Sequence, residues 1–569
     1  MIIHQLTLPR TLDGLVARFA DAPAGTRIEA WTFDDRAARH RAEGALAVHG
    51  VTARFRPAYK PILAFFREEA RPGFTSVRIA YPVHPAAIAS RFLLESYPLA
   101  ALLAPVVPEL VAGDSDCDYV VTLTYPEGAE THRVFAPNRQ HHDPEGVAML
   151  SPCGWLRVDG QPEPLATDYE TLFHATLAAV AAHDWGDEPY FEELNLAVTL
   201  PAADEPLGHD DEAQSLQEAM HEDLYFSLLE YFSRRSGRAP GDRGLQPGQI
   251  VPLVTQGDPA VVVSLCPLAR APREAAWQVP DRATAALSMA QIHDELATLG
   301  GEEFTAQSRA GRVIEARHLA GTGVPVMISA GQHANETSGI VGALRAARHL
   351  RDAGAHFTIS PLENPDGYAL HGRLTADNPR HMHHAARYTA FGDDLEYRSD
   401  PDRLFEQAIR RQAEALTGAG LHLNLHGYPA HEWTRPLSGY VPRGFAMWTL
   451  PKGFFLVLRH HTGWDETALA LAGAVTAELA TMPGLMAMNA RQIGLYGIHA
   501  GETGFQMING FPCLIGCDDR HRVPLTLITE YPDETIYGDD FIAAHEAQAR
   551  TVLAAHAAWQ QLALARQIA

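Results

Sequence analysis

ISAGQHANETSGI, residues 328–340, sets His333 and Glu336 three positions apart, where an apolar run (VPVMISA, 324–330) gives way to a helical pattern (ETSGIVGALRAARHLRDAG, 336–354). Two readings stand at this point: half of a metal site, or a polar turn that starts a helix beside a surface histidine. A helix over 286–300 precedes the stretch. After it come the strand HFTISPL (356–362), a long polar loop, a helix over 400–418, the strand LHLNLHG (421–427), a helix over 465–480, the strand LTLITEYPDE (525–534) and a long C-terminal helix. Strands alternating with helices predict βαβ crossovers, hence an α/β fold with a doubly wound, largely parallel sheet. Sites on such sheets gather at the carboxyl ends of strands, and His333, His426 and Glu530 each fall at one.

The chain has 569 residues, 46% of them hydrophobic and 20% charged, a globular composition long enough for two or three domains. The regular pattern begins near residue 285. Before it, short β-rich runs mix with helices, and Gly/Pro-rich connections at 238–252 and 265–284 mark joints. The expected division is an N-terminal mixed α/β accessory domain over 1–125, a second accessory region over 126–284 and a catalytic domain over 285–569. The accessory half is expected to restrict the cleft or to mediate homo-oligomerisation. Within it, His221-Glu222-Asp223 lies on a helical pattern and reads as a solvated face.

A net charge of -24 without any basic run argues against nucleic acid and anionic lipid as partners. The N-terminus lacks the charged start and apolar core of a signal peptide, and no apolar run has membrane-spanning length, so a cytoplasmic protein is expected. Five scattered cysteines predict free, structural thiols.

Zinc in a hydrolytic site takes three nitrogen or carboxylate ligands and leaves one position for water. A histidine closing a strand and a glutamate on the first turn of the next helix share a face at i, i+3, and His426 arrives from another strand. Four segments then appear in order: GQHANETSG (331–339), PLENPDGY (361–368), NLHGY (424–428) and LITEYPDE (527–534). In that order and context they resemble the zinc carboxypeptidases of the carboxypeptidase A type, over roughly residues 285–569. The resemblance implies one zinc per chain on His333, Glu336 and His426, and Glu530 as general base. It also implies an oxyanion-stabilising arginine, for which Arg380 is at a compatible distance with Arg373 and Arg387 as rivals, and a substrate-covering tyrosine, for which Tyr496 is the candidate.

One element departs from that pattern. Where the family grips a terminal carboxylate with an Asn-Arg pair, Glu396 and Tyr397 stand, and Arg398 follows one place later. Either Arg398 takes over the carboxylate through a shifted loop, or a free C-terminus is not read in the family's way. The substrate class is therefore a peptide, or an N-acyl amino acid if the chain is nearer the aspartoacylase and succinylglutamate desuccinylase deacylases, whose H-G-N-E-x-x-G stretch His333–Gly339 also resembles. A catalytically inactive binding protein is the third reading, disfavoured by the intact set of four residues. His371, His381, His383 and His384 read as a polar rim or a second metal site, and Asp518 and Asp519 as a surface turn or a pocket for a basic side chain.

Overall fold

A computed structural model describes residues 1–143, 145–398, 403–442, 445 and 448–568, the side chains of 565–568 apart. Its centre is a nine-stranded mixed sheet in the order Glu302–Gln307, Val313–Leu319, Ala355–Ser360, Thr322–Ala330, Leu421–Pro429, Leu525–Glu534, Phe455–His460, Phe511–Cys517, Gln506–Ile508. The chain is α/β, as the alternation of elements predicts. The four strands from Ala355–Ser360 to Leu525–Glu534 run parallel, as the crossover helices require. Both flanks add antiparallel pairings, so the sheet is parallel at its centre and mixed at its edges.

Alternation sorts the central strands into two faces. In Leu421–Pro429, Leu421, Leu423 and Leu425 join the core under helices Ser338–Asp352, Asp465–Leu479 and Asp539–Ile568, while His422, Asn424 and His426 face the other way. Leu525–Glu534 does the same, with Leu525 and Leu527 below and Thr526, Ile528 and Glu530 above. Each strand thus buries a stripe of leucines at about 1.5–3 kcal/mol per side chain and is left with a polar stripe on the opposite face. Helix Gln407–Thr417 covers part of that opposite face through Ile409 and Ala413. Residues 400–402, the start of the helix expected from 400, lie outside the described residues, and the described helix begins at Gln407. The polar loop expected after the strand Ala355–Ser360 opens as a helix, Pro365–Asp377. Asn364 caps it by accepting from Gly367 N, and Pro365 stands at its first position, where no amide is needed.

The N-terminal part contains three four-stranded sheets. Strand Ile2–Thr7 pairs with Ala260–Cys266, which brings the two ends of this part of the chain side by side. A single apolar core then runs from Trp31, Tyr169 and Leu224 to Leu374, Trp433, Tyr440 and Tyr496, crossing residue 285. Helix Leu216–Arg235 lies in this seam, and every residue from Leu216 to Leu228 is buried. The solvated face expected for His221-Glu222-Asp223 does not exist, because their carboxylates serve the C-terminal half. Glu222 meets His384 Nδ1 at 2.5 Å, Asp223 accepts from Leu437 N at 2.9 Å, and Glu218 meets His431 Nε2 at 2.8 Å. Lys60 and Glu432 form another buried pair across the seam. Among the described residues no single helix is long and apolar enough to cross a membrane.

Residues 285–569 expressed alone should fail to fold. The fragment would expose Leu374, Trp433 and Tyr440 and strip His384 and His431 of their partners, so a soluble fragment with cooperative unfolding would show that the halves are independent.

A second expectation concerns His431. Burial would lower its pKa, but the Glu218 carboxylate lifts it to about 9, against about 6.5 in an unfolded chain. A raised folded pKa stabilises fully below the unfolded value, and the contribution is lost as pH climbs through the folded one. The stability difference between wild type and His431→Gln should therefore shrink from pH 6.5 to pH 9 in denaturant titrations. An unchanged difference would remove the charge from His431.

Candidate metal centre and cleft

His333 lies three residues beyond the strand Thr322–Ala330, in a turn closed by Glu336 N donating to His333 O at 3.3 Å. Glu336 precedes the helix, which starts at Ser338, rather than occupying its first turn. The turn produces the i, i+3 approach that a helix was expected to supply. His333 Nδ1 is 2.9 Å from Glu336 Oε1, His426 Nδ1 is 3.0 Å from Glu336 Oε2, and the two Nδ1 atoms are 3.0 Å apart. All three residues are buried, and among the described residues they are the one group of three such side chains whose ligand atoms converge.

The donor set fits a divalent cation. A tetrahedral ion with bonds of about 2.0–2.2 Å has ligand–ligand edges of roughly 3.3–3.6 Å, so the three ligand atoms, 2.9–3.0 Å apart, need spread by only a few tenths of an ångström to receive it. Glu336 Oε2 is buried and aligned for no hydrogen bond, a costly state that a cation between these atoms relieves. Burial would raise the pKa of Glu336, but His333, Arg387 and His426 hold it well below the carboxylate range, and burial lowers that of His426. The Glu336 carboxylate and His426 are thus favoured in the states in which they ligate metal, whereas, against burial, Glu336 and Asp394 raise the pKa of His333, so His333 gives up a proton when it ligates.

Outer partners fix the ligands. Asp394 Oδ2 sits 3.4 Å from His333 Nε2, and the other carboxylate oxygen, Oδ1, accepts from Gln332 Nε2 at 2.9 Å. Such a carboxylate behind a ligating imidazole sets its tautomer and orientation. On the other side, Asn335 Nδ2 donates to Glu534 Oε2 at 2.7 Å, and Ser338 N donates to Asp533 Oδ2 at 2.8 Å. The segment EYPDE therefore supplies Glu530 and also clamps the loop that carries Glu336. Gly427 is required here, since a Cβ would fall 1.9 Å from Asp533 Oδ1.

Glu530 pairs in register with His426 on the neighbouring parallel strand, and both line the cleft. Burial and then the charge of Glu336 push its pKa well above the usual range, while Arg387 and Lys452 pull it down. Lys452 is fully buried among the rings of Tyr428, Trp448 and Phe455, and burial pushes its pKa down to about 7 against the pull of Glu530.

Three expected residues sit elsewhere. Arg380 is exposed and paired with Asp211, so it does not face the cleft. Its rival Arg387 does, with Nη1 2.5 Å from Glu336 Oε1. Arg373 pairs with Glu193 at 3.0 Å. Arg398 is buried against Asp393 and Glu406 and does not line the cleft, so its guanidinium is committed to internal partners. Tyr496 belongs to the shared core, on helix Pro483–His499. Glu396 does line the cleft, paired with Arg410 and, at 3.1 Å, with His521 Nδ1.

The histidines of HMHH are buried and individually bonded: His381 to Asp204 at 2.5 Å, His383 to Asn378 O at 3.0 Å and His384 to Glu222. They form the seam rather than a rim. Asp518 is neutralised by Arg520 at 2.6 Å, and all five cysteines are free.

No family model and no curated protein matches the chain. Solved structures do. A metallo-carboxypeptidase from Pseudomonas aeruginosa in complex with (2-guanidinoethylmercapto)succinic acid shares 14% identity over 54% of this chain and 72% of that one, with a TM-score of 0.31. A metallo-carboxypeptidase from Burkholderia cenocepacia shares 17% over 53% and 72%, with a TM-score of 0.29. Carboxypeptidase A from Helicoverpa armigera shares 13% over 48% and 72%, with a TM-score of 0.25. These likenesses are too remote to bear on what the chain does.

The geometry predicts that purified protein carries about one metal equivalent and that His333→Ala and His426→Ala lose it while staying folded. Asp394→Ala should weaken retention by roughly 10–100-fold. Full occupancy in both histidine variants would refute the centre.

Proposed function

We propose that the chain is a zinc-dependent hydrolase of a peptide or amide bond. The observation that carries this reading is the buried His333–Glu336–His426 trio with Glu530 on the adjacent strand and Arg387 at the same carboxylate, all opening on one cleft.

His333, Glu336 and His426 would hold the ion, which when bound supplies Lewis acidity toward a carbonyl and makes water acidic enough to attack at neutral pH. Glu530 accepts the proton released as the water oxygen bonds to the carbonyl carbon, then delivers it to the amide nitrogen as the C–N bond breaks. Its raised pKa suits a group that must both take and give a proton. Arg387 is always charged and donates toward the oxygen that gains negative charge. Burial of Glu530 and the apolar rings of Trp433, Phe445 and Trp448 along the cleft keep this chemistry in a poorly solvated space.

Among the described residues no arginine near Glu396 is free for the Asn-Arg role, because Arg398 is turned inward and Arg410 is paired with Glu363 and Glu396. Strict dependence on a carboxylate beside the scissile bond is therefore not part of the proposal. The cleft, about 500 Å³, extends well beyond the metal ligands to Arg459 and Arg522, room that favours a peptide over a small N-acyl amino acid.

Glu530→Gln should keep its metal and lose on the order of 10²-fold or more in turnover of a peptide substrate. Arg387→Met should lose about 10²–10³-fold, with Arg380→Met as the surface control. If Glu530→Gln turned over normally, its proton-transfer role would be gone; if it lost its metal, the residue would be a ligand instead.

A further inference from the structure

The floor of the cleft is a stretch of sheet ordered in rungs. His426 stands beside Glu530; two residues back along each strand Asn424 stands beside Ile528 and Val457; two further back His422 stands beside Thr526 and Arg459. These residues line one continuous cavity. Each two-residue step advances the floor by roughly 6.7 Å, which places the Arg459 rung about 13 Å from the Glu530 rung.

Several charges at that far end cancel in pairs, and on the floor itself there is an exception. Asp518 meets Arg520 at 2.6 Å, Glu414 meets Arg522 at 3.0 Å, and Glu396 meets Arg410 and His521. Arg459 makes no side-chain hydrogen bond or ion pair with any described residue, although it is only part-exposed. Its Nη1 lies over Gly516 on the next strand, 3.3 Å from where a Cβ would stand, so the glycine leaves the guanidinium its seat. Over the whole lining, seven arginines face five carboxylate residues, whereas the chain carries 69 acidic against 45 basic residues. The cleft reverses the sign of the molecule, which draws an anion to it.

We propose that Arg459 is a subsite for a substrate carboxylate about 13 Å from the bond that is cut, a reading that rests on the Glu530 end being the reacting end. A part-buried guanidinium without a partner suits a two-pronged bond to a carboxylate. An extended peptide spans at most about 3.3–3.6 Å per residue, so the carboxylate belongs about four residues from the scissile bond. An acidic side chain or the terminal carboxylate of the substrate can present it.

The test is a set of acetylated hexapeptides in which one glutamate or glutamine is moved along the sequence, each with a free or an amidated C-terminus, the cut bond being located by mass spectrometry. One placement about four residues from the cut should raise kcat/KM at least tenfold over its neutral counterpart, and the amidated arm tells side chain from terminus. In Arg459→Met that ratio should fall toward one, and Arg459→Lys should retain part of it. A ratio unchanged in Arg459→Met, or no preference at any placement, overturns the subsite. If no peptide is cut, the hydrolase reading fails separately, and calorimetric binding of the same peptides to Glu530→Gln decides the subsite. Tighter binding of one acidic peptide, abolished by adding Arg459→Met, sustains it; equal binding of acidic and neutral peptides overturns it.

Discussion

Everything at the centre depends on one register: His426 beside Glu530 on adjacent parallel strands. Because side chains alternate, leucines at 421, 423 and 425 and at 525 and 527 fix which residues face the cleft. A slip of one residue would drive His426 and Glu530 into the apolar layer and expose the leucines, so the hydrophobic core itself enforces the placement of the polar set. The loop carrying His333 and Glu336 has no such enforcement from its own strand. It is tied down from the Glu530 strand, through Asp533 and Glu534.

The N-terminal half is held to this arrangement by buried charge. Glu218, Glu222 and Asp223 project from one helix into the loops around the cleft, and His384, which meets Glu222, also lines that cleft. A buried ion pair adds little net stability over an apolar contact, but losing one partner leaves a desolvated charge and costs several kcal/mol. The seam is therefore specific rather than merely sticky. It couples the N-terminal half to a wall of the site, and the connection-rich segments around 238–284 join regions that share a core.

The parts of this that the sequence made legible are those with strong local signals. The leucine-rich central strands, the helix after Glu336 and the trio with Glu530 could be read because each sits where a hydrophobic stripe ends. Phe455–His460, although it neighbours the Glu530 strand, is not legible as a strand, because a short apolar run after Pro451 and Gly453 has no period to separate strand from loop. The arginines show a different limit. Arg373, Arg380 and Arg387 were equivalent by spacing, and what separates them is Glu193 and Asp211, acids from the other half that hold Arg373 and Arg380 away from the cleft. Asp394 carries no signal in the sequence, since a residue behind a ligand is recognised only once the ligand's ring has a direction. Burial of the helix Leu216–Arg235 was illegible for a related reason. Its acids look solvated until their histidine and amide partners, some 160 to 215 residues away, are seen to meet them.

The loop around Glu396 and Arg398, where the sequence departs from the carboxypeptidase pattern it otherwise resembles, keeps its charges in internal pairs. Arg398 could not serve a substrate carboxylate without abandoning Asp393 and Glu406, both fully buried with it, so the nearest arginine in sequence is excluded by internal electrostatics. Glu396, which brings a negative charge to the cleft, is offset by Arg410 and His521 and so does not repel an anion by itself. With Glu396 offset in this way, the lining of the cleft keeps its positive balance. In the reading proposed above, recognition falls to Arg459, four residues along the sheet from the Glu530 rung, a separation set by the spacing of strand residues and therefore rigid.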